Sequence, residues 1–236
     1  MMAKIGIGTA GWGKPYGNDL PPSKVEITKI LRTARRRGIE IIDTAPAYEV
    51  DTDFSGFKVV QKTPYQGDCY ALLQHDPDGE LPREGNYKRG ISVYTPEQLE
   101  RVIDDIDIVQ LPLSIADNRF LPFLPILRNK GVEIHARSVF MRGMLLDRLD
   151  VKTCLGYVLA QDVDYVIVGI NSDEQMKEVC EVVPLDVEPI TIDERLLDLR
   201  GASDDIGNNS GQNDKPKTTG EVIEAHCGET TFKVGL

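Results

Sequence analysis

Eight short β-branched runs, separated in part by amphipathic helical patterns, narrow the folds open to this chain more than any other feature. They are Lys4 to Ile7, Ile39 to Ile42, Phe57 to Val60, Tyr70 to Leu73, Gly90 to Val93, Ile106 to Val109, Val132 to Ile134 and Tyr165 to Val168. Strands that alternate with helices imply a parallel sheet, and eight of them predict a closed (β/α)8 TIM barrel of the α/β class. At 236 residues the chain can bury one substantial core, so a single barrel domain is expected over residues 1–200.

The helices announce themselves by their ends. Ser23 precedes KVEITKILRTARRR, with Glu26 at capping-box spacing and Gly38 as a stop. Thr95 precedes Pro96, a favoured first helical residue. Asn118 to Lys130, ended by Gly131, and Ser172 to Val183, ended by Pro184, supply two more. The second, third and fourth crossovers carry no such pattern. With the third strand running to Lys62 and the fourth beginning near Cys69, only Thr63 to Asp68 separate them, whereas a parallel crossover ordinarily takes a dozen residues or more. A strand of about six residues is roughly 20 Å long, and six residues at full extension just span it, so an extended return is predicted there.

A barrel stripped in this way exposes the outer faces of its second to fourth strands. Period-2 alternation puts Glu40, Ile42, Phe57, Gln61, Leu72 and Gln74 outside, and Ile42, Phe57, Val59, Tyr70 and Leu72 form an apolar flank that needs cover. The expected cover is the segment from Val187 to Leu199, the chain end from Glu221, or a second copy in a homodimer. Residues 201–220, rich in Gly, Ser, Asn and charge, read as a flexible linker, and residues 221–236 as a C-terminal β-hairpin around Gly228.

Composition excludes several classes of function. A net charge of −11 opposes nonspecific binding to nucleic acid or anionic lipid, and the Arg35 to Arg37 cluster reads as a solvated helix end. The N-terminus lacks a secretory apolar run, and no stretch approaches the roughly 20 apolar residues of a membrane span, so a cytoplasmic location is expected. Cys69, Cys154, Cys180 and Cys227 are far apart, so neither a metal site nor a disulfide framework is expected.

Chemistry concentrates where barrel enzymes keep it, at the carboxyl ends of strands. Asp43 and Tyr48 follow the second run, Lys62 ends the third and His75 the fourth. Singly, each is more often packing or a solvated charge; four on neighbouring strand ends make a coherent set. Lys62 paired with Asp43 would favour the Tyr48 phenolate, and a neutral His75 could orient a carbonyl while Tyr48 delivers a proton.

The segments GIGTAGWG, IIDTAPAY, FKVVQK, LLQHDPD, ISVYTPEQLE, IDIVQLPLS, HARSVFMRGMLL and VDYVIVGINSDEQ together resemble the aldo-keto reductases, from Lys4 to about Val183. HARSVFMRGMLL and ISVYTPEQLE look most like a bacterial branch often encoded beside surface-polysaccharide genes. The resemblance implies a barrel oxidoreductase that uses NADP or NAD to reduce an aldehyde or ketone, with Asp43, Tyr48, Lys62 and His75 as catalytic tetrad. It implies nicotinamide contacts by Ser92 and Gln110, for which barrel-interior hydrogen bonding is the alternative. Phosphate or ribose contacts are implied near Gly8, Thr9, Ala10, Gly11 and Trp12, and at Arg137, Ser138, Gly169, Asn171, Ser172 and Gln175. Gly169 and Gln175 stand where many relatives carry cations for the 2′-phosphate, so little preference between NADP and NAD is expected. The region from Leu146 to Leu155 is short for the family, which trims the part that covers the cofactor. The alternative to an enzyme is a degenerate barrel that binds a nucleotide or a protein partner without turnover.

Overall fold

The computed structural model describes residues 3–16, 20–65, 67–76, 79–192, 222–227 and 230–235, the last two stretches as backbone. Eight parallel strands close into a barrel in chain order: β1 Lys4–Gly8, β2 Ile41–Asp43, β3 Lys58–Lys62, β4 Ala71–Gln74, β5 Lys88–Ser92, β6 Ile108–Pro112, β7 Glu133–Arg137 and β8 Tyr165–Gly169. β8 returns to β1 in register from Lys4↔Tyr165 to Gly8↔Gly169. Beyond the barrel, β9 Val222–Cys227 pairs antiparallel with β10 Thr230–Gly235. The expected linker over 201–220 lies outside the described residues.

Alternation along the strands divides the apolar residues in two. Ile41, Val60, Ala71, Leu73, Ile108, Tyr165 and Ile167 fill the barrel interior, and their neighbours Ile7, Ile42, Ile91, Val109, Ile134 and Val166 join the core beneath the helices. Each fully buried aliphatic side chain contributes roughly 1.5–3 kcal/mol against the entropy of ordering the chain.

The helices follow their local signals with instructive exceptions. Helix α1, Lys24–Arg36, starts where the Ser23 hydroxyl accepts from the Glu26 amide at 3.2 Å, and Gly38 ends it at φ +74°. Glu26 does not complete a capping box; its carboxylate accepts instead from the Asp173 amide at 2.8 Å and ties α1 to the last helix of the barrel. Thr95 and Gln98 do form a capping box, on α2 Pro96–Glu100. The pattern from Asn118 to Lys130 becomes a 3-10 turn, Leu121–Phe123, followed by α3 Leu124–Asn129, because Pro122 and Pro125 cannot donate within a longer helix. Helix α4, Val151–Leu159, was not expected: Cys154 to Leu159 are all buried, so it lacks the polar face by which a helix is recognised in sequence. Its one signal is Asp150, whose carboxylate accepts from the Thr153 amide at 2.7 Å. The last helix, α5 Asp173–Val179, begins at Ser172 as expected but ends a turn earlier.

The second, third and fourth crossovers contain no α-helix among the described residues. A single 3-10 turn, Pro46–Tyr48, follows β2. β3 and β4 nevertheless pair in parallel, Val60↔Ala71 through Lys62↔Leu73. The loops of these crossovers contribute to the main core. Val50, Phe54, Phe57 and Leu81 pack onto the main core, and the Arg35 guanidinium lies 4.8 Å from the centre of the Phe57 ring. Ile42 and Leu72 are buried and Phe57 and Val59 half-buried, whereas Tyr70, expected on this flank, packs instead on the barrel-interior cluster with its hydroxyl donating to Glu133 at 2.7 Å. The segment expected to cover this flank goes elsewhere: the Leu185 amide donates to Gly156 and the Ile190 amide to Ile115, which lays 185–190 along α4 and the loop after β6. Residues 193–199 of that segment lie outside the described residues.

Candidate active site

Asp43, at the end of β2, is 4% exposed and Lys62, at the end of β3, is 2% exposed. Two such charges persist away from water only when they meet, and Lys62 Nζ lies 2.5 Å from Asp43 Oδ1. The other carboxylate oxygen accepts from Gln110 Nε2 at 2.8 Å, and Gln110 Oε1 accepts in turn from Ser92 Oγ at 3.2 Å. Ser92 and Gln110 therefore sit in a barrel-interior network that fixes Asp43, the alternative to their implied nicotinamide contacts.

Tyr48 arrives on the 3-10 turn after β2. The turn is closed by Glu49 in the left-handed region, φ 58°, and Gly13 packs so near it that a Cβ there would lie 2.1 Å from the Tyr48 carbonyl oxygen. Lys62 Nζ lies 5.4 Å from the centre of the Tyr48 ring, near enough for its charge to act on the phenol. Burial pushes the Tyr48 phenol above its ordinary pKa; Lys62 pulls the other way without prevailing. The fall in the Tyr48 pKa expected from Lys62 is thus reversed, because desolvation of the phenolate outweighs one nearby cation. Burial opposes the Lys62 charge as well, but Asp43 and Tyr48 hold the ammonium above its ordinary pKa.

His75, just beyond β4, is brought to the same mouth. Burial, then the charges of Lys62 and Arg137, lower its pKa to about 4, so the ring is neutral near pH 7. Its Nδ1 is buried without a partner, and its Nε2 lies 3.5 Å from the Tyr94 hydroxyl. Tyr94 is a residue that sequence reasoning passed over. It stands directly after Ser92 and Val93, where period-2 alternation from the β5 end would have pointed to it. Its ring lies 5.9 Å from the His75 ring and 4.5 Å from the Arg137 guanidinium carbon.

Arg137 ends β7 on the same interior face as Glu133 and His135. It donates to the Val93 carbonyl at 2.7 Å and to Ser138 Oγ at 3.0 Å, and its Nε is buried without a partner. The loop that follows holds Ser138, Met141 and Arg142 at positive φ, 62°, 47° and 57°. Such conformations cost free energy and gather at functional sites. Arg142 reaches the Tyr16 ring at 5.5 Å, joining this loop to the one after β1.

The remaining expected cofactor residues form a separate rim. Thr9 is buried, its amide and hydroxyl both donating to the Asp43 carbonyl at 3.0 Å. Trp12 is buried too, its indole donating to the Ile170 carbonyl at 2.7 Å. Gly11 adjoins Asn171, with Gly8 and Ala10 on the same half-buried turn. Gly169 is exposed with open space before it. Ser172 Oγ accepts from the Gln175 amide at 3.1 Å and Gln175 Oε1 accepts from the Asn171 amide at 2.7 Å, so both side chains order the start of α5.

No family model matches the sequence, and neither does any curated protein. Solved structures do match in shape. The holo form of an aldo-keto reductase from Bacillus halodurans superposes with a TM-score of 0.57 at 16% identity, over 78% of this chain and 89% of that one. The glycerol dehydrogenase of Gluconobacter oxydans gives 0.57 at 15% identity, over 91% and 95%. The chain has the barrel fold of the aldo-keto reductases, with fewer helices around its first half. No helix among the described residues is long and apolar enough to cross a membrane.

Proposed function

We propose that the protein is a nicotinamide-dependent oxidoreductase that reduces an aldehyde or ketone. The observation that carries this reading is the buried Lys62 ammonium, paired with the Asp43 carboxylate and 5.4 Å from the centre of the Tyr48 ring, beside a neutral His75. A nicotinamide cofactor, NADPH or NADH, would when bound supply the hydride for the carbonyl carbon and leave as NADP+ or NAD+. Tyr48, protonated at rest, donates its proton to the carbonyl oxygen, and Lys62 stabilises the phenolate left behind. His75 orients that oxygen by hydrogen bonding without bringing a second positive charge. Asp43, held by Gln110 and Ser92, keeps Lys62 in place.

The open space before Gly169 fits a phosphate-bearing nucleotide, held between the Gly8 to Trp12 turn and the loop from Gly169 to Gln175. Neither of those two segments contributes a lysine or arginine, and a 2′-phosphate gains most from charge-assisted hydrogen bonds. Comparable affinities for NADPH and NADH are expected, and a strong NADPH preference would show that a cation outside these two segments answers the phosphate. A sugar-like or polyol-derived carbonyl is supported by the resemblance to the polysaccharide-associated branch and by the description of the Gluconobacter barrel as a glycerol dehydrogenase.

One observation favours nucleotide binding without turnover: His75 Nε2 already faces the Tyr94 hydroxyl. Titration with NADPH and NADH, followed by turnover of a simple aldehyde, separates the two readings. Binding with no carbonyl reduction would leave the binder.

A further inference from the structure

The barrel mouth holds one more cation than its acids can answer, the half-buried Arg137. Among the described residues no carboxylate lies within 4.0 Å of Arg137. Asp43 is engaged by Lys62 and Gln110, and Asp76, the other acid that acts on His75, is exposed. The neutral acceptors on Arg137, Val93 O and Ser138 Oγ, leave its Nε–H without a partner and shut off from water. A buried N–H in that condition is costly unless an acceptor completes it, and on a guanidinium an anion does so best. The chain as a whole carries a net charge of −11, so this local excess runs against its average.

The position of the cation says which part of a ligand would complete it. Arg137 is packed on one face of Tyr94, and Tyr94 touches His75, so the guanidinium is one aromatic ring removed from the group that would orient a carbonyl. We propose that Arg137 is the counter-ion for a carboxylate on the substrate, so that this site selects oxo acids, carbonyl compounds that also carry a carboxylate, over neutral aldehydes. Arginine suits the task because its planar fork matches a carboxylate. Tyr94 sets the spacing between carbonyl and carboxylate by holding His75 and Arg137 apart. The proposal rests on the reductase reading and narrows its substrate class.

The test compares 4-carboxybenzaldehyde with benzaldehyde, and succinic semialdehyde with butanal, in the full-length protein with saturating NADPH. The expected result is a kcat/KM ratio of about tenfold or more for the carboxylate member of at least one pair, the size of a charge-assisted hydrogen bond. In Arg137→Gln that ratio falls to about one, whatever happens to the absolute rates. A wild-type ratio near one in both pairs, or a ratio that survives Arg137→Gln, would overturn the proposal. So would a variant in which only the NADPH to NADH ratio moves, since the anion would then belong to the cofactor. If no aldehyde is reduced at all, the reductase reading fails by itself, and calorimetric binding of 4-carboxybenzaldehyde decides the anion site: binding lost in Arg137→Gln sustains it, and binding absent or unaltered ends it.

Discussion

The two ends of this barrel use the same kinds of residue to opposite effect. At the amino ends of the strands, Glu40 takes Lys4, Lys58 and the Tyr165 hydroxyl, and Glu133 takes Lys88, the Tyr70 hydroxyl and His135. Each carboxylate there has several partners, and the hydrogen bonds from His135, Lys88 and Tyr70 overcome burial to hold Glu133 at a pKa of about 2. At the carboxyl ends the buried Asp43 carboxylate is shared by Lys62 and Gln110, while Arg137 and His75 keep unpartnered buried nitrogens. The satisfied end closes the barrel and the unsatisfied end is ready to receive a ligand, as barrels generally divide stability from chemistry. The division is not complete, since His135 Nδ1 also lacks a partner among the described residues.

Removing one member of the Lys62 and Asp43 pair gives the largest effect on stability. Lys62→Met leaves Asp43 buried with only Gln110, and a loss of about 3–5 kcal/mol is expected in urea unfolding, together with loss of turnover. A loss under about 1 kcal/mol would mean that the pair is already hydrated. At the other end, Glu133→Gln removes a multiply bonded carboxylate and should cost about 1–3 kcal/mol while leaving kcat/KM within about twofold. A fall in kcat/KM well beyond that would break the division between the two ends.

Acid should separate the ends as well. The pKa of His75 is about 4 in the folded chain against an ordinary 6.5, so the unfolded chain binds more protons between those values. The stability tied to neutral His75 is therefore whole above pH 6.5 and is lost as the pH falls toward 4. Glu133 is depressed from 4.5 to about 2, so its contribution is present above 4.5 and is lost as the pH falls toward 2. Unfolding free energy measured against pH should decline in two stages; His75→Gln removes the upper stage and Glu133→Gln the lower. The smallest change with a visible effect is Gly13→Ala, whose methyl group collides with the Tyr48 carbonyl. It should lower kcat more than it lowers stability, and equal losses would show that the Tyr48 turn moves freely.

The barrel was legible because β-branched runs and helix caps are local signals. Ser23, Thr95, Pro96 and Ser172 mark helix starts by chemistry that needs no tertiary context. Helix α4 was not legible, since burial on nearly every side erases the amphipathic pattern. The meeting of Asp43 with Lys62 followed from strand-end positions, yet the resting state of Tyr48 did not, because the balance of burial against one cation depends on packing. Tyr94 and the unanswered charge of Arg137 were hidden for the same reason: a missing partner leaves no mark in sequence.

The most direct test is the proton from Tyr48. Purified protein and its Tyr48→Phe variant should be compared for NADPH binding and for oxidation of bound NADPH by an aldehyde under single-turnover conditions. Retained binding with a rate reduced by about 10²–10⁴-fold is expected, the range for removal of a general acid. An unchanged rate in Tyr48→Phe, or a wild-type protein that binds NADPH and reduces no carbonyl, would contradict the assignment of this barrel mouth as a carbonyl-reducing site.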